Sequence, residues 1–115
     1  MITNSLKKTK TWRSEKYLSF VRSRPCVITG SDLNVVAHHV RCLGGGGMGL
    51  KPPDYYCIPI TAEEHSKLHA TGERSYWERH RENPESLVTM TMLCYLATKP
   101  SDDFIEKLAS IVTCT

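Results

Sequence analysis

Residues 41–55, RCLGGGGMGLKPPDY, are the segment that most restricts how this chain can fold. Four consecutive glycines resist regular structure, and Pro52 and Pro53 have no amide hydrogen to donate to a strand ladder. We therefore predict a long loop here. The loop does not match a nucleotide-binding P-loop, because no Gly-Lys-Ser or Gly-Lys-Thr follows it and it does not lead directly into a helix.

Before the loop, the sequence predicts one helix and two strands. Ser14 is placed to cap a helix that reaches about residue 23, and Pro25 ends it. Residues 26–28 are predicted as a short strand, residues 29–32 as a turn and the valine-rich residues 34–40 as a second strand. These two strands would form a hairpin that ends in the pair His38-His39.

After the loop, residues 56–60 are predicted as a brief extended piece. Thr61 then opens a helix in the pattern T-A-E-E, a capping box in which Glu64 is the third helical residue. The helix is expected to end at about residue 70, before Gly72. Further helices are predicted at about 73–82, 85–98 and 101–113. The fold class is therefore α+β, with strands and a helix flanked by N-terminal and C-terminal helices.

Length and composition describe an ordinary globular protein. The chain has 115 residues, 40% hydrophobic and 23% charged, which suits one domain with a modest core. No apolar run approaches the roughly 20 residues of a membrane span, and the N-terminal residues lack the apolar core of a signal peptide. We therefore expect a cytoplasmic protein that does not bind a membrane.

The five cysteines are an odd set that contains no CxxC pair. This pattern argues against a disulfide framework and against a zinc site of four cysteines. We expect reduced thiols, most of them buried.

Positive charge is concentrated at the N-terminus. Residues 1–25 carry seven basic side chains and one acid, a net charge of +6, although the whole chain carries only +3. A basic segment of this kind suits a polyanion, because lysine and arginine at phosphates release condensed counterions, although a solvated surface helix is the commoner explanation. The candidate DNA-binding residues are Lys7, Lys8, Lys10, Arg13, Arg22, Arg24 and, beside the glycines, Lys51.

Four of the five histidines fall in two pairs, and His80 has no companion. His65 and His69 are four residues apart on the predicted helix, about 40° apart around its axis, so that both rings can reach one ion. His38 and His39 are neighbours on a strand and face opposite sides, so one can bind a metal while the other acts on a water. Each histidine alone is more commonly a surface or core residue, but the combination favours metal-assisted hydrolysis of a phosphodiester.

Several motifs resemble the HNH, or His-Me finger, nucleases, and most closely their phage and prophage members. The motifs read YLSFVRSRPC, AHHV, GGGGMGLKPPD, CIPI, HSKLH and GERSYW. They lie within residues 16–82, which would form the nuclease core, and residues 83–115 would be a helical extension. The resemblance implies a ββα-metal core, in which two strands and a helix hold one divalent cation against the scissile phosphate.

The same resemblance implies a role for each histidine. His38, His65 and His69 would bind the metal, and His39 would be the general base. The protein would then be a metal-dependent DNA endonuclease or nickase, using magnesium, manganese, zinc or nickel. The alternatives are a non-catalytic DNA-binding accessory module that keeps the fold, and a purely structural zinc domain. A recombination protein as partner and a homodimer are further expectations.

The chain departs from the family at the positions of a second, structural zinc. Many members bind that zinc with two CxxC pairs, whereas the corresponding residues here are Cys26, Thr29, Thr61 and Glu64. Only one of the four thiols remains. We therefore expect no structural zinc and a core held by apolar packing.

A second departure concerns the asparagine that gives the family its middle letter. It stands nine residues before the helix histidine, where this chain has Tyr56. Asp54 could take its place by fixing the tautomer of His39, although a turn residue after two prolines is an equal reading. Arg41 could contact the scissile phosphate, or could be a surface arginine at the strand end.

Overall fold

The computed structural model describes residues 12–43 and 52–106. It is a mixed α and β structure with a two-stranded sheet and several helices. In chain order the elements are α1 (Glu15–Arg22), β1 (Val35–His39), a 3-10 turn (Asp54–Tyr56), β2 (Cys57–Thr61), α2 (Ala62–Thr71), α3 (Glu73–His80) and α4 (Pro84–Ala97). None of the helices in the described ranges has the length and apolar character needed to cross a bilayer.

The sheet joins the two segments that flank the long loop. β1 and β2 pair antiparallel, with Val35 opposite Thr61 and His39 opposite Cys57. The predicted hairpin between residues 26–28 and residues 34–40 is therefore wrong. Residues 27–29 form a turn instead, and the partner of β1 is the piece that was predicted only as briefly extended.

The reason is that residues 26–31 bond mainly to one another. The amide of Cys26 donates to the carbonyl of Ser31 at 2.8 Å, and the amide of Gly30 donates to the carbonyl of Cys26 at 2.9 Å. Gly30 adopts a φ of 76°, which a glycine accepts without strain. From this segment the amide of Val27 donates to the carbonyl of Pro59 and Cys26 Sγ accepts from the amide of Thr61, while β1 pairs with the fully buried β2.

The helix starts follow the sequence signals. The Ser14 side chain accepts from the amide of Tyr17 and caps α1, and the Thr61 side chain accepts from the amide of Glu64 and caps α2. A full capping box would also have the Glu64 carboxylate accept from the backbone amide of Thr61. That part of the prediction is wrong, because the carboxylate instead accepts from the Tyr76 hydroxyl at 2.6 Å.

The two later helices are confirmed as α3 and α4 within a few residues. The last predicted helix, from Ser101, begins only at Phe104, whose amide donates to Asp102 at 3.2 Å. Most of that predicted helix lies outside the described residues, as does the glycine run of the loop.

The core has two parts, one on each face of β2. Ile58 and Ile60 pack into one cluster with the helix residues Leu68 and Trp77. Cys57 points the other way, into an aromatic cluster whose other buried members are Trp12, Tyr17, Val21, Tyr95 and Phe104. Alternate residues of a strand face opposite sides, and here one cluster covers each face of β2, so the strand is buried along its whole length. β2 therefore fixes the position of β1 beside it.

Tyr17 allows a test of the aromatic cluster. Its ring is fully buried, and its hydroxyl has no hydrogen-bond partner among the described residues. A buried hydroxyl without a partner loses its hydration, so Tyr17→Phe is expected to raise the free energy of unfolding by about 1 kcal/mol. Chemical denaturation of the wild type and the variant measures this difference.

Tyr95→Phe is the matched control, because Tyr95 lies in the same cluster but donates its hydroxyl to Asp102. A hydrogen bond to a charged group contributes about 1.5–3 kcal/mol, so this variant is expected to be less stable than the wild type. Equal destabilisation by both substitutions would contradict the account of the Tyr17 hydroxyl.

Candidate metal centre

Three histidines from two elements meet at one place. His38 comes from β1, and His65 and His69 lie one turn apart on α2, which starts directly after β2. The ring centroids are 5.0 Å apart for His38 and His65, 6.1 Å for His38 and His69, and 4.5 Å for His65 and His69. Each ring offers a nitrogen, and these three nitrogens lie within 4.8 Å of one another. The structure therefore brings together the three residues predicted as metal ligands.

The donor set fits a divalent cation. Metal–nitrogen bonds of about 2.1 Å in a tetrahedral site place two ligand nitrogens about 3.4 Å apart. The Nε2 atoms of His65 and His69 are already 3.2 Å apart. A cleft of about 350 Å³, with His38, Arg41 and His69 in its lining, opens beside the rings and leaves room for water or a phosphate oxygen.

The histidines of this cluster differ in burial. His38 is buried, His65 is half-buried and His69 is exposed. The pKa of His65 is lowered by burial and by the neighbouring His38 and His69 rings. A lowered pKa keeps the imidazole neutral near pH 7, which is the form that binds a metal.

Glu73 is the residue of this site that the sequence analysis missed. Its carboxylate accepts from His38 Nε2 at 2.7 Å, from the amide of Arg41 at 2.9 Å and from Trp77 Nε1 at 3.2 Å. Burial acts to raise the pKa of Glu73, but hydrogen bonds from these three donors outweigh it and lower the pKa. The only sequence signal was its place in GERSYW, a motif that assigns no role to the glutamate.

His39 points away from the three-histidine cluster, as strand alternation requires, and contacts Asp54. Its Nε2 lies 2.8 Å from Asp54 Oδ1. Asp54 is buried and also accepts from the amide of Ser14 at 2.7 Å and from Arg13 Nη1 at 3.1 Å. Burial acts to raise the pKa of Asp54, but the hydrogen bonds from His39, Ser14 and Arg13 outweigh it and lower the pKa.

A second group of potential ligands surrounds His39. Its ring, the Asp54 carboxylate and the Cys57 thiol offer ligand atoms within 4.8 Å of one another. Cys57 is completely buried, and both carboxylate oxygens of Asp54 already accept hydrogen bonds. This group therefore fits an incoming ion less well than the three-histidine cluster, which borders a cleft.

The other predicted site residues lie around these centres. β1 ends at His39, so Arg41 does not continue the strand face and instead borders the cleft beside His69. Tyr56 is half-buried and packs against the core that contains Ile58, and its carbonyl accepts from the amide of Val40. His80, predicted as a surface residue, is half-buried against the ring of Tyr76.

The basic residues predicted to bind DNA are only partly described. Arg13 donates to Asp54 and to the carbonyl of Pro52, Arg22 pairs with Glu15, and the guanidinium of Arg24 lies 5.7 Å from the centre of the Phe20 ring. The lysines predicted to bind DNA, which lie outside the described residues, are Lys7, Lys8, Lys10 and Lys51.

The four positions of the second zinc in the family are joined by hydrogen bonds here. Cys26 Sγ accepts from the amides of Ile28 and Thr29, each at 3.4 Å, and from the amide of Thr61. Burial acts to raise the pKa of this thiol, but these bonds and one from the Thr29 side chain outweigh it and lower the pKa. The amide of Glu64 donates to the side-chain oxygen of Thr61, so all four positions are linked by hydrogen bonds. Of the four described cysteines, Cys26 and Cys57 are buried, Cys42 is half-buried and Cys94 is exposed.

Comparison with known proteins places the chain in a family. Residues 5–97 match the family described as Protein of unknown function (DUF968). A 64-residue stretch is 36% identical to the uncharacterized protein YdfU of Escherichia coli (strain K12), covering 56% of this chain and 18% of that protein. No solved structure matches the chain significantly. Because the family match extends over most of the sequence, the chain belongs to the DUF968 family.

Proposed function

We propose that this protein is a metal-dependent DNA endonuclease or nickase of the HNH type. One observation carries the proposal: ligand nitrogens of His38, His65 and His69 lie within 4.8 Å of one another, while the adjacent His39 is bound to a buried carboxylate. Neighbouring residues have Cα atoms about 3.8 Å apart, so the end of β1 carries the proposed metal ligand and the proposed base on adjacent residues, with their rings on opposite faces of the strand.

The order of elements supports the same proposal. β1, the long loop, β2 and α2 follow one another, and the ligands come from β1 and α2. This is the order of a ββα-metal core, with the strands on either side of the loop rather than in the hairpin predicted from residues 26–40.

Asp54 prepares His39 for its role as general base. When the Asp54 carboxylate accepts the Nε2 hydrogen of His39, the neutral ring carries its lone pair on Nδ1. That nitrogen takes a proton from a water molecule as the water attacks phosphorus. Asp54 therefore does what the family's asparagine would do at the position where this chain has Tyr56.

His38, His65 and His69 would hold a divalent cation, and such a cation would supply positive charge for the pentavalent phosphorane and the departing 3′ oxygen. The products then carry 5′ phosphates. Nitrogen ligands favour zinc, nickel or manganese, whereas magnesium prefers oxygen. The cleft beside these rings would leave room for water and a phosphate oxygen next to a bound cation.

Two arginines near the site take different roles. Arg41 borders the cleft and is placed to contact the scissile phosphate. Arg13 donates to Asp54 and to the carbonyl of Pro52, so its main proposed role is to hold Asp54 in place and not to bind DNA.

The homodimer, the recombination partner and the cytoplasmic location stay predictions from the sequence.

Cleavage of supercoiled and single-stranded DNA with magnesium, manganese, zinc, nickel or EDTA tests the proposal. The wild type is expected to nick DNA only with a divalent cation. His39→Ala is expected to lower the rate by about 100-fold or more, since that is the usual contribution of a general base, while cation binding is retained.

His80→Ala is the matched control for that assay, because His80 belongs to neither histidine pair and packs against Tyr76. It should cleave at the wild-type rate. DNA binding by both wild type and His39→Ala, with no cleavage of any DNA form, would reject the nuclease and favour the non-catalytic binding module.

Asp54→Asn tests whether the buried carboxylate orients the base. The new amide NH₂ can donate to His39 Nε2, which would move the ring hydrogen to Nδ1 and remove the base. We expect the cleavage rate to fall by about 100-fold or more. Asp102→Asn is the control, since Asp102 also accepts from a buried side chain, but that side chain is Tyr95 of the aromatic cluster, which contains neither histidine pair. Equal rates for wild type and Asp54→Asn would contradict the orienting role.

The pH dependence of stability separates this effect from misfolding. Asp54 has a lowered pKa in the folded protein, against about 3.9 in an unfolded chain. Its carboxylate therefore stabilises the fold fully above about pH 4, and this contribution is lost as the pH falls through the folded pKa. Denaturation should show a stability difference between wild type and Asp54→Asn at pH 7 that shrinks in acid. A difference that is constant over this range would contradict the charged role of Asp54.

A further inference from the structure

Glu73 occupies a position that joins three parts of the candidate metal centre. It is the first residue of α3 and follows Gly72, which has a φ of 92°. Its side chain is only 13% exposed, so the carboxylate depends on protein donors to replace lost water.

The two carboxylate oxygens have different partners. Oε1 accepts from the backbone amides of Arg41 at 2.9 Å and Cys42 at 3.2 Å. Oε2 accepts from the indole nitrogen of Trp77 at 3.2 Å and lies 2.7 Å from Nε2 of His38. Backbone amides and an indole can only donate, so both oxygens act as acceptors.

This pattern settles which nitrogen of His38 carries the hydrogen. An ionised carboxylate can only accept, and a glutamate whose two oxygens accept from two backbone amides and an indole is ionised at neutral pH, well above the ordinary glutamate pKa of about 4.3. His38 Nε2 must therefore donate. A neutral His38 ring then has its lone pair on Nδ1.

The geometry points to Glu73 as a positioning residue of the metal centre, which holds the Nε2 hydrogen of His38 so that this ring binds the cation through Nδ1. The inference rests on the metal site of the proposed function. A carboxylate behind a histidine ligand fixes the ring's orientation and raises its basicity, and removing such a partner commonly costs about 10–100-fold in metal affinity.

The same carboxylate fixes the segment that follows β1. By accepting from the amide of Arg41, Glu73 ties that residue's backbone to the ring of His38. The proposed ligand and the arginine proposed to contact phosphate are therefore held by one carboxylate. Since α3 carries Glu73, this helix positions the ring of His38 and the backbone of Arg41, although none of the three proposed ligands lies on it.

Glu73→Gln changes the charge while keeping the size of the side chain. Its amide group has one acceptor and one donor where the carboxylate has two acceptors. The amides of Arg41 and Cys42 both require an acceptor at the Oε1 position, so the NH₂ group is expected to replace Oε2. There it would donate to His38 Nε2 and force the ring hydrogen onto Nδ1.

The experiment measures imidazole ¹⁵N chemical shifts in the metal-free protein and the affinity for Mn²⁺ and Co²⁺ by calorimetry. In the wild type, His38 is expected to be protonated at Nε2, which needs no variant to establish. In Glu73→Gln the hydrogen is expected to move to Nδ1, and the affinity for both cations is expected to fall by about 10–100-fold. The Co²⁺ absorption spectrum reports any change in coordination.

Glu63→Gln is the control, because Glu63 is an exposed glutamate in the first turn of α2 and its substitution removes the same charge near His65. It should leave both the His38 tautomer and the cation affinity unchanged. If Glu63→Gln lost as much cation affinity as Glu73→Gln, the loss would come from removing a negative charge near the site and not from the hydrogen bond to His38. That result would overturn the inference.

The outcomes separate this inference from the proposed function. A His38 ring protonated at Nδ1 in the metal-free wild type, or unchanged cation affinity in Glu73→Gln, overturns the role of Glu73 and leaves the nuclease proposal standing. A wild type that binds neither cation overturns the metal site itself. A Co²⁺ spectrum that shows loss of an oxygen ligand in Glu73→Gln would make Glu73 a direct ligand and overturn the positioning role.

Discussion

The antiparallel pairing of β1 with β2 is the constraint on which the rest of this structure depends. β2 is buried on both faces, so it cannot move without opening both parts of the core. Its register places His38 opposite Ile58, and α2 starts directly after its last residue. His65 and His69, one turn apart on α2, therefore face His38 near the end of β1. Apolar burial in one strand thus determines the positions of the candidate metal ligands on the neighbouring elements.

Each histidine at the end of β1 has its own carboxylate partner. Glu73 accepts from His38, and Asp54 accepts from His39. Strand alternation puts the two rings on opposite sides, and each carboxylate comes from a different element. Because a carboxylate fixes the tautomer of the ring that it contacts, two adjacent residues of the same type can take different roles. This division underlies the proposed assignment of one histidine to the metal and the other to water.

Local rules predicted what local interactions determine. Ser14 and Thr61 cap helices as their side chains require, and the four-residue spacing of His65 and His69 places both rings on one side of α2. The strand pairing was not predictable in this way, because residues 26–28 carry a strand-like composition but close on themselves in a turn.

Glu73 was missed for a related reason. Its contacts with His38 and Arg41 span more than thirty residues, and no local pattern marks a glutamate after a glycine as a ligand's partner. The sequence left two roles open for Asp54, fixing the tautomer of His39 or forming a turn, because a turn after two prolines explains an aspartate equally well. Long-range contacts of buried charged groups leave little trace in a single sequence.

Anomalous diffraction from crystals grown with one equivalent of Mn²⁺ or Zn²⁺ tests the central claim most directly. The account predicts a single ion bonded to nitrogens of His38, His65 and His69, at about 2.0–2.2 Å, facing the cleft beside Arg41. An ion bound instead among His39, Asp54 and Cys57, or none at the three-histidine cluster, would contradict it.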